Sequence, residues 1–298
     1  METIQITIDG VLVGSSYSLL ALGFSLVFGI MGRINLAYGS TLLLGGAVSL
    51  ALTSYLQLSY LWMLPLIVII SSLANVYVEK LCFNPHQGQT GIVVSMISSF
   101  AIWMQLDEIS SQLLPDRTHA FPELPVNNFE LGNIFVRSDQ LIQLSIALIS
   151  TAILFLVVYR TKFGILLRAV SNNPEIANVL GVKVPLINLI TFAIAGGFGG
   201  VASFLILSAD SQITPLFGFW CTIKGLVAMM IGGVGSLVGA VLGGLILGVM
   251  EAHLTAYFGA IYREIATFAI LLMVLVLRPG GLMGSTIFRD EKYSNERV

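Results

Sequence analysis

The residues of this sequence that could do chemistry are polar groups within or between long apolar runs. Asn35, Tyr38 and Gly39 lie where two such runs meet, and Lys224 and Glu251 lie inside two later runs. A polar side chain at membrane depth is costly, so it tends to face a cavity or a polar neighbour. These five residues are therefore candidates for the lining of a path taken by a small polar solute.

The segment 33–39 joins two apolar runs without a proper turn, a pattern typical of a broken helix. Irregular backbone at membrane depth is tolerated mainly where it lines a cavity or is buried in protein. Two roles stay open for Asn35 and Tyr38, namely path lining and structural hydrogen bonding. Two roles are also open for Lys224, which can snorkel toward the membrane surface or pair with an acid.

The sequence contains no pattern that indicates catalysis or metal binding. Its acidic residues and histidines lack the spacing of a metal site or a proton relay, and nucleophile, phosphate-loop and ATP-binding motifs are missing. Cys82 and Cys221 lie in or beside apolar runs without metal-ligand spacing. We therefore expect neither an enzyme nor a cofactor bound by this chain itself.

The composition predicts an all-α polytopic membrane protein with one transmembrane domain over residues 1–298. Hydrophobic residues make up 56% of the chain and charged residues 10%, and the mean hydropathy is +0.91. The lipid bilayer is thus its first partner. A net charge of −2 without a basic tract gives no indication of nucleic-acid binding.

The lengths of the apolar runs predict about eight or nine transmembrane helices, some of them broken or re-entrant. The run 217–231 is short, so it either crosses the membrane or only enters it. A polar tail begins at residue 278. The predicted spans are 11–31, 37–56, 61–78, 91–106, 141–159, 186–207, 217–231, 237–253 and 265–277.

The basic residues predict an orientation for these spans. If every run crosses, ten of the 14 Lys and Arg residues fall on the side of loop 160–185 and three on the side of loop 107–139, with Lys224 in the membrane. The positive-inside rule then makes loop 107–139 extracytoplasmic and loop 160–185 cytoplasmic. The N-terminus is expected outside and the C-terminus in the cytoplasm.

Loop 160–185 contains a short helix with both ends marked, predicted over 174–180. Asn173 can cap its free N–H groups, Pro174 suits its first turn, and Gly181 can adopt the left-handed conformation that ends it. A helix this short rarely holds alone in water. It is either packed on its own bundle or a docking helix for a soluble partner.

Four stretches resemble the membrane permeases of branched-chain amino acid ABC importers. They are residues 10–39, 163–181, 230–244 and 277–284, and they occur in the order typical of that family. Together they make the resemblance cover nearly the whole chain.

The resemblance implies a multi-pass protein of the bacterial inner membrane that acts with several partners. These are a second permease subunit of the same family, two cytoplasmic subunits that bind ATP and magnesium, and an extracytoplasmic solute-binding protein. It also implies that residues 168–181 form the coupling helix that docks on the ATPase. The residues assigned to that contact are Arg168, Asn173, Pro174, Glu175, Ala177, Leu180 and Gly181.

The resemblance leaves the solute open between a branched-chain or other neutral amino acid and urea or a small amide. Members of the family often carry His and then Glu where this chain has Tyr38 and Ser40. An ion-coupled secondary transporter is the alternative of a different class. It would need a coupling-ion site, and no acidic cluster within the apolar runs offers one.

Overall fold

The structure is a computed structural model that describes residues 2–57, 59–85, 91–114, 118–124, 128–131, 134–259, 261–277 and 280–283. Its helices are α1 Glu2–Met31, α2 Tyr38–Leu56, α3 Met63–Val78, α4 Gly91–Leu113, α5 Ser138–Arg160, α6 Lys162–Asn172, α7 Pro174–Val179, α8 Val184–Asp210, α9 Phe217–Gly232, α10 Leu237–Phe258 and α11 Ile261–Leu277. A 3-10 turn Tyr60–Trp62 precedes α3, and a π-helical turn Glu79–Phe83 follows it.

The fold is an all-α membrane bundle, as the composition predicts. Seven helical segments among the described residues are long and apolar enough to cross a membrane. The ambiguous run 217–231 forms α9, a shorter apolar helix of 16 residues. The number of crossings and the orientation of the termini stay predictions. The predicted polar tail from residue 278 lies outside the described residues, apart from 280–283.

The polar stretch 107–139 is more ordered than a loop. Helix α4 continues through its first residues to Leu113, because polar side chains at the helix end bond to each other along the helix, as Trp103 Nε1 does to Asp107 Oδ2 at 2.7 Å. Strands β2 Asn128–Leu131 and β3 Ile134–Arg137 then form an antiparallel hairpin. The sequence predicts neither feature.

Small residues let the long helices approach closely. Antiparallel helices α1 and α10 meet at Gly14 and Gly244, and a Cβ atom added to Gly244 would overlap the backbone of Ser18. Helix α8 packs on α3 in the same way, where a Cβ on Gly200 would lie 2.9 Å from Val68 Cα. Such contacts replace the hydrophobic effect, which does not drive helices together in lipid.

Within the bundle, two sets of three helices, α1–α3 and α8–α10, run in opposite directions, and we call them the two halves. Val13 and Asp210 line one cavity, whereas Met31 and Asn188 line another, so α8 is antiparallel to α1. Each half has a non-helical break, at 32–37 and at 211–216. Because the breaks have equal length, the first residue of α2, Tyr38, corresponds to the first residue of α9, Phe217.

The two breaks lead to one contact at the centre of the bundle. Tyr38 at the start of α2 lies against Gly23 of α1 and Gly199 of α8, both away from the ends of their helices. The next residue, Gly39, touches Gly218 near the start of α9. Helices α2 and α9 therefore both begin inside the bundle and leave it in opposite directions.

A pair of short strands covers the second break. Strand β4 Gln212–Ile213 pairs antiparallel with β1 His119–Ala120, and Phe121 N donates to Ser211 O at 2.9 Å. The strands satisfy backbone groups that the missing helical turn leaves unpaired. The first break uses side-chain hydrogen bonds instead.

Candidate functional site

Asn35 satisfies the backbone and side chains around the first break. It is 1% exposed, its Oδ1 accepts from Ala37 N at 3.1 Å, and its Nδ2 donates to Asn75 Oδ1 at 3.4 Å. Asn75 in turn donates to Thr41 Oγ1 at 2.6 Å. This network joins the break to α2 and α3, so Asn35 has the structural hydrogen bonds expected of buried irregular backbone.

Tyr38 fills the space between three helices. Its side chain is fully buried, its hydroxyl donates to Ala195 O at 2.9 Å, and its ring centroid lies 4.5 Å from that of Phe24. The ring fits because Gly23 and Gly199 carry no side chain there. Tyr38 is therefore packed against α1 and α8.

Gly39 belongs to the contact between the two helix starts. Its N–H donates to Thr222 Oγ1 at 3.1 Å, and an added Cβ would overlap Gly218 O. Only a residue without a side chain fits this approach of α2 to α9. A solute path through Asn35, Tyr38 and Gly39 stays a prediction.

Lys224 and Glu251 form a buried ion pair. Lys224 Nζ lies 3.1 Å from Glu251 Oε2 and donates to Tyr17 Oη at 2.7 Å. Tyr17 donates to the same Glu251 oxygen at 2.8 Å, and Thr267 Oγ1 donates to Oε1 at 2.9 Å. The structure thus selects pairing with an acid over snorkelling for Lys224. We call these four residues the charged cluster, which joins α1, α9, α10 and α11.

A cavity of about 220 Å³ lies beside the charged cluster. Lys224 and Tyr17 border it, together with Gln143 and Ser16, which are joined by a hydrogen bond of 2.6 Å, and Asp210 at the end of α8. Such a mixture of donors and acceptors suits water or a small polar solute. Sequence reasoning missed Gln143 and Asp210, although Gln143 is a polar residue inside a predicted span and therefore carried a signal.

Arg168 lies on a separate helix, which corrects the interpretation of 168–181 as one coupling helix. Residues 162–172 are predicted as part of loop 160–185, but they form the amphipathic helix α6. Arg168 Nη1 donates to Val158 O at 2.7 Å and its guanidinium lies 5.9 Å from the Tyr159 ring centre. Arg168 therefore fixes α6 to the end of α5 and is not part of α7.

Both predicted ends of α7 have the geometry that the sequence indicates. Asn173 Oδ1 accepts from Glu175 N and Ile176 N, each at 3.0 Å, and Pro174 is the first helical residue. Gly181 has a φ of +84°, in the left-handed region. The helix ends at Val179, one residue earlier than predicted.

The C-terminal end of α7 closes with two backbone hydrogen bonds. Val182 N donates to Ala177 O and Gly181 N to Asn178 O, both at 3.0 Å, which is the Schellman arrangement. Leu180 is the cap residue and already departs from helical geometry, with a ψ of 6°. That departure explains why the helix is shorter than predicted.

The two sides of α7 differ in exposure. Ala177 is 2% exposed and seats the helix on the bundle. On the opposite side Ile176, Val179 and Leu180 are 59%, 87% and 76% exposed. We call these three residues the open face of α7. An apolar patch next to polar loop residues is typical of a protein interaction site.

Comparison with known proteins identifies the family. Residues 6–277 match the family described as branched-chain amino acid transport system, permease component. The chain belongs to this family. The resemblance found in the sequence is therefore confirmed, and with it the expectation of a multi-pass transport permease that is not an enzyme.

Relatives match over nearly the full length of this permease. The high-affinity branched-chain amino acid permease protein BraD of Pseudomonas aeruginosa is 30% identical, with 94% of this chain and 95% of the relative covered. LivH of Escherichia coli, which bears the same description, is 28% identical at the same coverage. The ribose import permease RbsC of Haemophilus influenzae is 24% identical, over 87% of this chain and 80% of its own.

A solved structure also superposes on this permease at low similarity. A chain of PsaBC from Streptococcus pneumoniae in complex with Fab covers 93% of this chain and 91% of its own, at 16% identity and a TM-score of 0.47.

Proposed function

We propose that this chain is the membrane-spanning subunit of an ATP-driven ABC importer for branched-chain or other neutral amino acids. The observation that carries the proposal is α7, a six-residue helix closed at both ends with an open face of three apolar residues. The names of BraD and LivH support the solute class.

The chain acts with a second permease subunit, two ATP-binding subunits and an extracytoplasmic solute-binding protein. Its own sequence has no ATP-binding signature, so ATP and magnesium are bound by the partner subunits. Energy then has to enter this chain through a contact. The open face of α7 is suited to that contact, because a short helix with apolar side chains fits a groove on a partner.

A force on α7 reaches the transmembrane helices through α6. Arg168 ties α6 to the end of α5, and Ser171 Oγ donates to Gly29 O near the end of α1. Asn173 joins α6 to α7 without an intervening loop residue. We therefore expect α6 and α7 to move as one unit that shifts the ends of α1 and α5.

Uptake by the assembled transporter tests the proposal. In proteoliposomes with all subunits, uptake of labelled leucine should require ATP and should persist when ionophores remove ion gradients. Excess valine should compete, whereas excess urea or acetamide should not. Uptake that follows an ion gradient without ATP would exclude an ABC importer, and competition by urea would reassign the solute.

The contact itself is tested by Val179→Asp with Val179→Thr as the matched control. Burying an unpaired carboxylate in a partner groove is costly, so Val179→Asp should reduce co-purification of the ATPase subunits at least tenfold. Val179→Thr keeps the shape of the side chain, and this variant should retain most of the co-purification of the ATPase subunits. Neither variant should lower folded yield, because Val179 is 87% exposed. Undiminished co-purification with Val179→Asp would place the docking site elsewhere.

The orientation is tested by single cysteines in a background without Cys82 and Cys221. A cysteine at Thr118 should react with a membrane-impermeant thiol reagent from outside, and a cysteine at Leu180 only after the cells are opened. Both positions are exposed. Labelling of both from the same side would contradict the proposed topology and the coupling role of α7.

A further inference from the structure

A second cavity lies on the bundle side of α7. It has a volume of about 440 Å³, within the range of roughly 300–1,000 Å³ that is usual for small-molecule sites. Glu175 and Asn178 of α7 form one wall, and the ends of α1 and α8 form the others. The cavity is therefore bordered both by the proposed coupling helix and by the transmembrane bundle.

One residue that lines this cavity has a buried polar atom without a partner. Asn188 on α8 is only 8% exposed and lines the cavity, and its Oδ1 accepts no hydrogen bond in the structure. Buried polar atoms are nearly always satisfied, so an exception calls for a ligand or an ordered water. Because Oδ1 is an acceptor, the missing group is a donor such as an ammonium.

The cavity also has a cation, a carboxylate and an apolar wall. Arg33 lies in the first break and Glu175 on α7, and both border the cavity. Met31, Phe83 and Val184 supply apolar surface beside them. A guanidinium suits a carboxylate, which it can bind through two hydrogen bonds. The set therefore matches a molecule with a carboxylate, an ammonium and an aliphatic group.

We propose that this cavity binds an α-amino acid with an aliphatic side chain from the cytoplasmic side. Its carboxylate pairs with Arg33, its ammonium with Glu175 and Asn188 Oδ1, and its side chain packs on Phe83. The proposal rests on the proposed function, because it assigns to the imported class of solute a second site beneath α7.

Occupation of this site slows import. The bound molecule bridges Glu175 on α7 and Arg33 and Asn188 on the bundle, so it holds α7 in place. A coupling helix has to move relative to some part of the bundle during each cycle, and a ligand that binds one arrangement more tightly opposes the change. Amino acid accumulated in the cytoplasm thereby limits its own uptake.

Binding is measured on the permease in nanodiscs without the solute-binding protein, using labelled L-leucine. We expect saturable binding that Asn188→Leu and Arg33→Gln each weaken at least tenfold. Lys80→Gln is the matched control, since it removes an exposed positive charge close to Phe83 and should leave binding unchanged. Isoamylamine, which lacks the carboxylate, and 4-methylpentanoate, which lacks the ammonium, should each compete poorly.

The effect on import is measured as a ratio within each variant. Uptake of labelled valine into proteoliposomes preloaded with leucine is divided by uptake into unloaded ones, with the ATPase side facing inward. The ratio should be several-fold below one for the original chain, because leucine inside slows uptake, and should stay near one for Asn188→Leu. Absent leucine binding, or equal binding and equal ratios in all variants, would overturn the site. Uptake that needs no ATP would overturn the proposed function. The leucine-binding measurement does not depend on ATP, so it would still decide whether the cavity binds an amino acid.

Discussion

The two halves of the bundle fill corresponding positions with opposite chemistry. With Tyr38 paired to Phe217, Tyr17 and Lys224 of the charged cluster correspond to Gly196 and Gly45. Around α9, an ion pair with two further hydroxyl groups joins α9 and α10 to α1 and α11. Around α2, small residues join α2 and α8 to α3 by direct contact.

The contact in the α2 half leaves no room for side chains. A Cβ on Gly196 would lie 2.6 Å from Ser71 O, and a Cβ on Gly45 would overlap Ser71 Oγ. Ser72 Oγ donates to Ala193 O at 2.8 Å. At these positions the helices are thus joined once by an ion pair and once by close packing, although Gly232, Gly239 and Gly243 also bring α9 and α10 into close contact. The α9 half should be sensitive to loss of a partner, and the α2 half to added volume.

The largest expected effect is that of Glu251→Leu. This change leaves Lys224 buried without its carboxylate, which should cost about 3–5 kcal/mol in the free energy of unfolding. The measurement is the apparent melting temperature in detergent, together with folded yield. The double variant Lys224→Met with Glu251→Leu should regain most of the loss, since an apolar pair replaces an ion pair without an orphaned charge. A single variant as stable as the original would mean that the pair is not buried.

A smaller effect is expected for Gly45→Ala in the other half. The added methyl group meets Ser71 Oγ, and overpacking of this kind should cost about 1–3 kcal/mol. Gly197→Ala is the control, because its Cβ would meet only Val68 Cγ1 at 3.8 Å, an ordinary contact. Adding Ser71→Ala to Gly45→Ala should restore part of the loss in melting temperature, because it removes the hydroxyl group that the new methyl group meets. Equal behaviour of Gly45→Ala and Gly197→Ala would contradict the close-packing account.

The smallest expected effect is that of Tyr38→Phe, which makes the start of α2 like the start of α9. The ring stays and the hydrogen bond to Ala195 O is lost, so unfolding should become easier by about 0.5–1.5 kcal/mol. Uptake per assembled complex should be unchanged, because Tyr38 is fully buried within its own chain. Tyr38→Trp should lower folded yield further without slowing each complex. A fall in uptake per complex in either variant would instead assign Tyr38 to the solute path.

Local features of the fold could be predicted from the sequence. Long apolar runs indicate the membrane helices, and Asn173, Pro174 and Gly181 mark α7 because caps depend on neighbouring residues alone. Helix α6 escaped prediction because its apolar positions are mixed with Lys162 and Arg168, which suggested a loop. Its stability comes in part from the bond between Arg168 and Val158 O, a tertiary contact.

Contacts between distant segments could not be predicted in the same way. Nothing near Lys224 in the sequence identifies Glu251 as its partner, since the two are on different helices. The correspondence of the two halves was also invisible, because Gly45 and Lys224 share a position and no chemistry. The cavity beneath α7 depends on a third kind of information, namely where α1 ends and α8 begins relative to α7.

The meeting of Gly39 and Gly218 has an electrostatic consequence. Each is near the N-terminus of a helix, where aligned peptide dipoles place roughly half a positive charge. Two such ends in contact at the centre of the bundle create a region of positive potential, surrounded by apolar helices and far from screening water. We therefore expect this contact to be an unfavourable place for a sodium ion or a proton, and so a barrier to cation leakage through the interior of the chain.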